Sequence, residues 1–563
     1  MKYGTTTYSF LGLLVFSSLA PAADGISPGT ERPGERQPLL PQYLQEVPQG
    51  GVVLPVVPPV ERPFIPEGGA AFELQGVVFE GNTVFSEQDL TSVAKPFLAH
   101  RVTLADLEEL RYRLTRYYTD RGYINSGVIL KPGQNVKEGV VAFRVLEGRL
   151  DQVRVKGVGR LRPDYVRERI WPESEMPFNI HALQDNFQLL LRDPLIKRMD
   201  GKLQPGSLPG SAILDLDVTR ACPWDLSLNI DNHRPPSTGS ERGYLSGVVR
   251  NLTGFGDYLN LATGMSEGAT EGSVLYSVPL TARDTRVWLR FDGTDSSVIE
   301  EPLEALDIES ETRSLELGID YPIQRTLRRT FTLGAALAVR ENKTFLLDEP
   351  FSFSSGADEG KSRVAVIRLI QELIKRTSNR ALALRSTVSI GIDAFNSTVY
   401  SDARPDSEYV SWLGQAQYAR ILGNRGIQLI LRGDAQFASD KLLDLERFVV
   451  GGVRTVRGYR ENELVRDNGV VVSAELRYPL QWQGVEVSSA TSLQLAAFMD
   501  YGTAWNKNSE HDELQSVGLG LLWNHRERYN AEIFVAHAIK EARPRQDYDL
   551  QDDGIHFRLS LNL

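Results

Sequence analysis

"IHFRLSLNL", residues Ile555–Leu563, ends the chain, and its alternation decides how the whole C-terminal half is read. Successive side chains of an extended strand point to opposite faces. Ile555, Phe557, Leu559, Leu561 and Leu563 therefore share one face, and His556, Arg558, Ser560 and Asn562 share the other. Sixteen segments of this kind recur between Trp224 and Leu563, among them 224–231, 242–250, 313–321, 330–340, 427–437, 470–478, 492–502 and 516–523. A soluble sandwich would alternate too, but an even number of segments, each long enough to cross an outer membrane at a tilt, points to a transmembrane barrel. Trp224, Tyr478, Tyr501 and Trp523 cap apolar faces, as side chains at a membrane interface do. Residues 223–563 are thus predicted to form a membrane all-β domain. Its sixteen strands would make a transmembrane β-barrel wide enough to hold an aqueous lumen.

The rest of the composition fits an exported protein. Lys2, the apolar run Phe10–Leu19 and the Ala20-Pro21-Ala22 site read as a secretory signal peptide over 1–22, too short for a membrane span. No other stretch is apolar enough for a membrane helix, so a membrane-resident form has to be a closed barrel. The net charge of -11 argues against a nucleic-acid partner, which calls for a basic stripe. The single cysteine, Cys222, excludes an intrachain disulfide and any multi-cysteine metal site. There is no H-E-x-x-H zinc motif and no nucleotide motif, and no cofactor is expected.

Residues 23–70 are rich in proline and read as an extended linker, with Leu39–Val47 the one segment able to form a short helix. Residues 71–150 then run strand, helix, helix, strand, strand. Ser86 with Asp89 and Thr103 with Asp106 are helix N-cap signatures. Leu104, Leu107, Leu110 and Leu114 give the second helix one buried face, and Gly122 ends it. Residues 151–222 repeat that order, so two copies of one small α+β unit precede the barrel. Each leaves a strand edge able to accept an extended chain.

The alternation lapses once at length. Residues 438–469 separate the eleventh and twelfth segments, too many for a simple turn, and include "ERFVVGGVRTVRGYRENEL". Two segments on, "AFMDYGTAW" has a decisive parity. Ser492, Gln494, Ala496, Phe498, Asp500 and Gly502 share a face, while Leu493, Leu495, Ala497, Met499 and Tyr501 share the apolar one. Asp500 is therefore expected to face the lumen, where Arg457, carried inward by the long loop, could meet it through a bidentate contact.

With these residues in hand the chain resembles the transporters of two-partner secretion, the TpsB branch of the outer-membrane assembly and translocation superfamily. The small units resemble POTRA domains. Val456-Arg457-Gly458-Tyr459 in the sixth external loop and Phe498-x-Asp500-x-Gly502 in the thirteenth strand carry the likeness, with "GVVFEGNTVFSEQDL", "LLLRDPLIKRMDGKLQPG" and "NLTGFGDYL" beside them. The resemblance implies a loop folded into the lumen and latched by Arg457 on Asp500. It also implies a periplasmic POTRA pair that recognises an unfolded exoprotein of the TpsA type, and a pore that exports it. The implied setting is the outer membrane of a Gram-negative bacterium, with its lipids as surroundings, the POTRA domains in the periplasm, and a monomer. Such transporters also carry a plug helix, for which only Leu39–Val47 is available, and commonly end in an aromatic residue where this chain has Leu563. Phe557 is the nearest aromatic substitute for that insertion signal.

Three other classes fit the sequence less well. An insertase of the same superfamily, which assembles other barrels, usually carries more POTRA units. A passive porin leaves the POTRA pair and the loop motif without a purpose. An enzyme has one hook, Gly264-Met265-Ser266-Glu267-Gly268, which matches G-x-S-x-G; a nucleophile elbow needs a helix after the serine, and a strand is expected here. His511-Asp512-Glu513-Leu514 is internal and reads as a polar connection.

Overall fold

The computed structural model describes Arg32, Tyr43 and residues 71–563, apart from 136–137, 173–176, 481–490, 527 and 541–546. The signal peptide, most of the proline-rich linker and the Leu39–Val47 helix read from the sequence lie outside the described residues, save Arg32 and Tyr43.

The first small unit is built as its caps dictate. Helix α1 (Glu87–Ala94) begins at a capping box in which Ser86 and Asp89 satisfy each other's backbone N–H. Helix α2 (Leu104–Thr119) begins at a second, formed by Thr103 and Asp106, and buries Leu107, Leu110, Leu114 and Tyr118. Both pack on a three-stranded sheet. Its central strand Val140–Leu146 runs parallel to Gly76–Glu80 and antiparallel to Gly127–Leu130. The Tyr118 phenol reaches the Glu147 carboxylate at 3.2 Å, and burial, then that carboxylate, push its pKa up. The second unit repeats the plan. Helix α3 (Pro163–Ile170) has proline at its first turn, and helix α4 (Ile180–Leu190) is capped by Asn179. Ser211–Arg220 is central, between Arg149–Lys156 and Ile196–Pro205. Leu183, Met199 and Leu214 are among its fully buried side chains.

From Trp224 the chain forms a closed antiparallel barrel of sixteen long strands, with the two-residue strand Glu349–Pro350 on its rim. Strand 16 (Ile555–Asn562) closes on strand 1 (Trp224–Asp231) through the register Arg558↔Asp231 to Asn562↔Ser227. Side chains reinforce that short seam: Asn232 exchanges two hydrogen bonds of 2.8 Å with the backbone of Ile555 and Phe557. Lipid-facing Met499, Leu519 and Leu559 are exposed, while lumen-facing Asp500, Ser516 and His556 are buried, as the parity predicts.

Two expectations are corrected in extent. Strands 6 (Ile308–Arg325) and 7 (Arg329–Leu346) overrun the expected 313–321 and 330–340. Beyond the membrane both faces are wet, so the ladder continues (Glu311 opposite Lys343) after the apolar alternation has stopped. His511–Leu514 is no mere connection: strand 14 (Asp512–His525) starts inside it, and Leu514 is buried beneath the long loop.

Candidate functional site

The long loop lies between strand 11 (Ile427–Ala438) and strand 12 (Asn468–Pro479). It is not strandless, as its sequence suggests. Phe448–Val450 pairs antiparallel with Leu464–Arg466, so the loop is a hairpin with a structured tip. Phe448, Val450, Val456, Tyr459 and Leu464 form an apolar cluster with Val471, Ala504 and Leu514 of the barrel wall. A loop with its own buried core holds one conformation in the lumen, where a solvated loop would not.

The tip brings the two sequence motifs together. Arg457 and Asp500 are 3% and 1% exposed. Arg457 Nε and Nη2 donate to Asp500 Oδ2 and Oδ1 at 2.8 and 2.9 Å, a bidentate pair, and the Arg457 backbone N–H donates to Oδ2 at 3.2 Å. The spacing of Phe498, Asp500 and Gly502 follows from the period of strand 13 (Thr491–Trp505), which turns all three to the lumen. Phe498 lies under the guanidinium, its ring centroid 3.4 Å from Cζ. Gly502 leaves the space that Val450 and Val456 fill; a Cβ there would collide with both.

The other motif residues complete the dock. Val456 is fully buried in the cluster. Gly458 has φ +93°, a conformation open to glycine, and stands against Ala536, so a side chain would be both strained and crowded. The Tyr459 hydroxyl donates toward the carbonyls of Lys540 (2.7 Å) and Gln515 (3.0 Å) and accepts the Gln515 N–H at 3.2 Å.

Several partners were not anticipated. Glu475 of strand 12 accepts from the third guanidinium nitrogen of Arg457, Nη1, and Ser473 Oγ accepts from Nη2 at 3.2 Å. Phe534 of strand 15 (Tyr529–Ala538) lies 5.1 Å from Cζ. Parity carried the signal for the first two: Ser473 and Glu475 alternate with the exposed Val472 and Leu476. Arg460, beside the motif, pairs with Glu300 of the third external loop and with both oxygens of Asp552 in the eighth, at 2.6 and 2.7 Å. Ser266, by contrast, ends a barrel strand (Tyr258–Ser266). Its hydroxyl donates to Thr238 O at 2.7 Å, and the next element is the strand Ala269–Pro279, so there is no nucleophile elbow.

Compared with known families, residues 210–522 match the model of the haemolysin secretion/activation protein family ShlB/FhaC/HecB, and residues 72–148 match the ShlB-type POTRA domain. The chain belongs to this family. It is an outer-membrane transporter of two-partner secretion. It is 21% identical over 499 residues to the outer membrane transporter CdiB of Dickeya dadantii, covering 81% of this chain and 80% of that one. It is 23% identical over 482 residues to the heme/hemopexin transporter protein HuxB of Haemophilus influenzae, covering 80% of each. Among solved structures, CdiB from Escherichia coli superposes with a TM-score of 0.68 at 19% identity over 90% of this chain and 94% of that one. BamA from Haemophilus ducreyi lacking POTRA domains 1-3 gives a TM-score of 0.53 at 12% identity over 88% and 100%. At such identities these structures share the fold and nothing finer. The family is one of protein transporters, and orientation follows: odd-numbered strands run outward from the periplasm.

Proposed function

We propose that this transporter receives an unfolded exoprotein of the TpsA type in the periplasm through its two small units, residues 71–150 and 151–222. We also propose that it works as a monomer, as a conduit and not as an enzyme. In this reading Arg457 and Asp500 are the latch that keeps the sixth loop in the lumen, and the loop has to leave its dock when the exoprotein passes. The observation that carries the latch is the saturation of one buried guanidinium by Asp500, Glu475 and Ser473, all on the wall. Breaking a buried ion pair from one side costs about 3–5 kcal/mol because a charge is left without its partner. Edge strands Gly76–Glu80 and Arg149–Lys156 offer backbone groups for an extended incoming chain. Vectorial folding outside the cell, worth ~0.05–0.15 kcal/mol per residue, would supply the drive without a nucleotide.

Arg457→Ala and Asp500→Ala are each expected to abolish or strongly reduce secretion of the exoprotein while the barrel still inserts. The double variant should lose less than the sum, as coupled sites do. Full secretion by both single variants would sink the latch. Deleting the gene should leave one large exoprotein in the periplasm; a general failure of barrel assembly would favour an insertase instead.

A further inference from the structure

The latch at the loop tip has a counterpart of opposite charge at the loop base. A short 3-10 turn, Asp444–Glu446, follows the exit from strand 11. Glu446 is 1% exposed, and its carboxylate faces two arginines of the wall. Arg340 of strand 7 donates from Nη1 to Glu446 Oε1 at 3.0 Å and to the Leu445 carbonyl at 2.6 Å. Arg368 of strand 8 (Lys361–Arg376) donates from Nη2 to Oε1 at 2.9 Å and from Nη1 to Oε2 at 3.2 Å. Glu316 of strand 6 stands 3.7 Å behind Arg368. The apolar half of the dock is equally complete. Leu442 and Leu443 pack on Ala338, Val364 and Val366, which share the lumen parity of the two arginines. Lumen-facing valines in a water-filled barrel make sense only beneath a segment that covers them.

We infer that Glu446 is a second positioning residue for transport, clamping the base of the sixth loop to strands 7 and 8 as Arg457 clamps its tip to strands 12 and 13. The inference rests on the reading of the loop as a latch. One clamp is a loop cation on an acidic wall; the other is a loop anion on a basic wall. Each wall bears charges that the loop pairs with, so a loop that leaves either dock takes a buried charge partner away from the wall. The loop is therefore held at both ends of its span, and it leaves the pore only when both pairings yield.

The test is planar-bilayer recording from the purified full-length protein, with insertion verified by heat-modifiable electrophoretic migration. Glu446→Gln should raise the fraction of time in the large-conductance state by at least about tenfold, the shift that follows from removing one charge-assisted hydrogen bond. It should also lower exoprotein secretion. Arg368→Gln should act alike, and Glu446→Gln combined with Arg368→Gln should be no worse than either alone, which a general loss of stability would not produce. The Arg340→Gln/Arg368→Gln double variant leaves the loop untouched and serves if Glu446→Gln does not insert. An open fraction equal to wild type in whichever of these variants inserts would overturn the inference. Arg457→Ala, recorded beside them, separates the two failures. If it opens the pore and the Glu446 variants do not, only the second clamp is wrong. If neither opens, the latch reading falls as well.

Discussion

Leu104 and Leu519 are each 57% exposed, and the two exposures mean opposite things. Leu104 opens helix α2 of the first small unit and faces water. Leu519 sits midway along strand 14 and faces lipid, with the buried Ser516 across the wall. The small unit puts Leu110, Leu114 and Phe143 inside and charge outside. The barrel puts Arg368, Glu475 and Asp500 inside and leucine outside. The exposure of a leucine carries no energetic sign until the surrounding medium is known.

The largest way to break that contrast is to open the small unit's core. Leu110 is fully buried between α2 and the sheet, so Leu110→Ala should cost ~2–5 kcal/mol through lost transfer and a residual cavity. Amide hydrogen exchange of residues 104–119 should then accelerate by roughly 30-fold or more, with strands of the barrel unchanged. A change in the barrel instead would deny that the two parts are stabilised separately. The next effect is on the membrane face. Leu519→Arg should cost ~2–4 kcal/mol near the bilayer midplane, whereas Leu104→Arg, at the same exposure, should stay within about 0.5 kcal/mol. Denaturant titration of folded barrel against unfolded chain in lipid vesicles reads the first, and exchange of α2 reads the second. Equal costs would mean that Leu519 does not face lipid.

The same contrast explains how much was legible in advance. A strand alternates whether its apolar face meets lipid or a core, so all sixteen barrel strands could be placed by parity, Asp500 included. The caps Ser86 and Thr103 mark the helices of the first unit because an N-cap is a purely local device. What stayed hidden is contact between distant strands. Parity states that Arg340 and Arg368 face the lumen, but not that Glu446, 106 and 78 residues away, comes to meet them. The hairpin Phe448–Val450 with Leu464–Arg466 was masked for a related reason. All three residues Phe448, Val449 and Val450 are buried, so the segment has no polar face to alternate with. Arg457 and Asp500 could be paired in advance because parity turns Asp500 into the lumen and the one long loop carries Arg457 there; the family motif implies the same link.

The smallest effect concerns the water-facing surface of the small unit. The Asp89 carboxylate accepts from the Ser86 hydroxyl at 2.7 Å and from the Ser86 backbone N–H at 3.1 Å. The hydroxyl first, then the backbone N–H, hold its pKa below the usual carboxylate value. A folded-state value below the unfolded one means that the cap's contribution is present above about pH 4 and is lost as pH falls through the depressed value. Protection of residues 87–94 against exchange, measured relative to intrinsic rates, should therefore decline in acid. In Ser86→Ala the hydroxyl is gone and one backbone contact remains, so protection should start lower at neutral pH and fall less on acidification. Ser86→Ala is expected to leave pore opening unchanged at any pH, because Asp89 lies on an exposed helix end far in sequence from the sixth loop. An acid-induced rise in pore opening that depended on Ser86 would couple the two parts of the molecule, and the contrast between them would have to be redrawn.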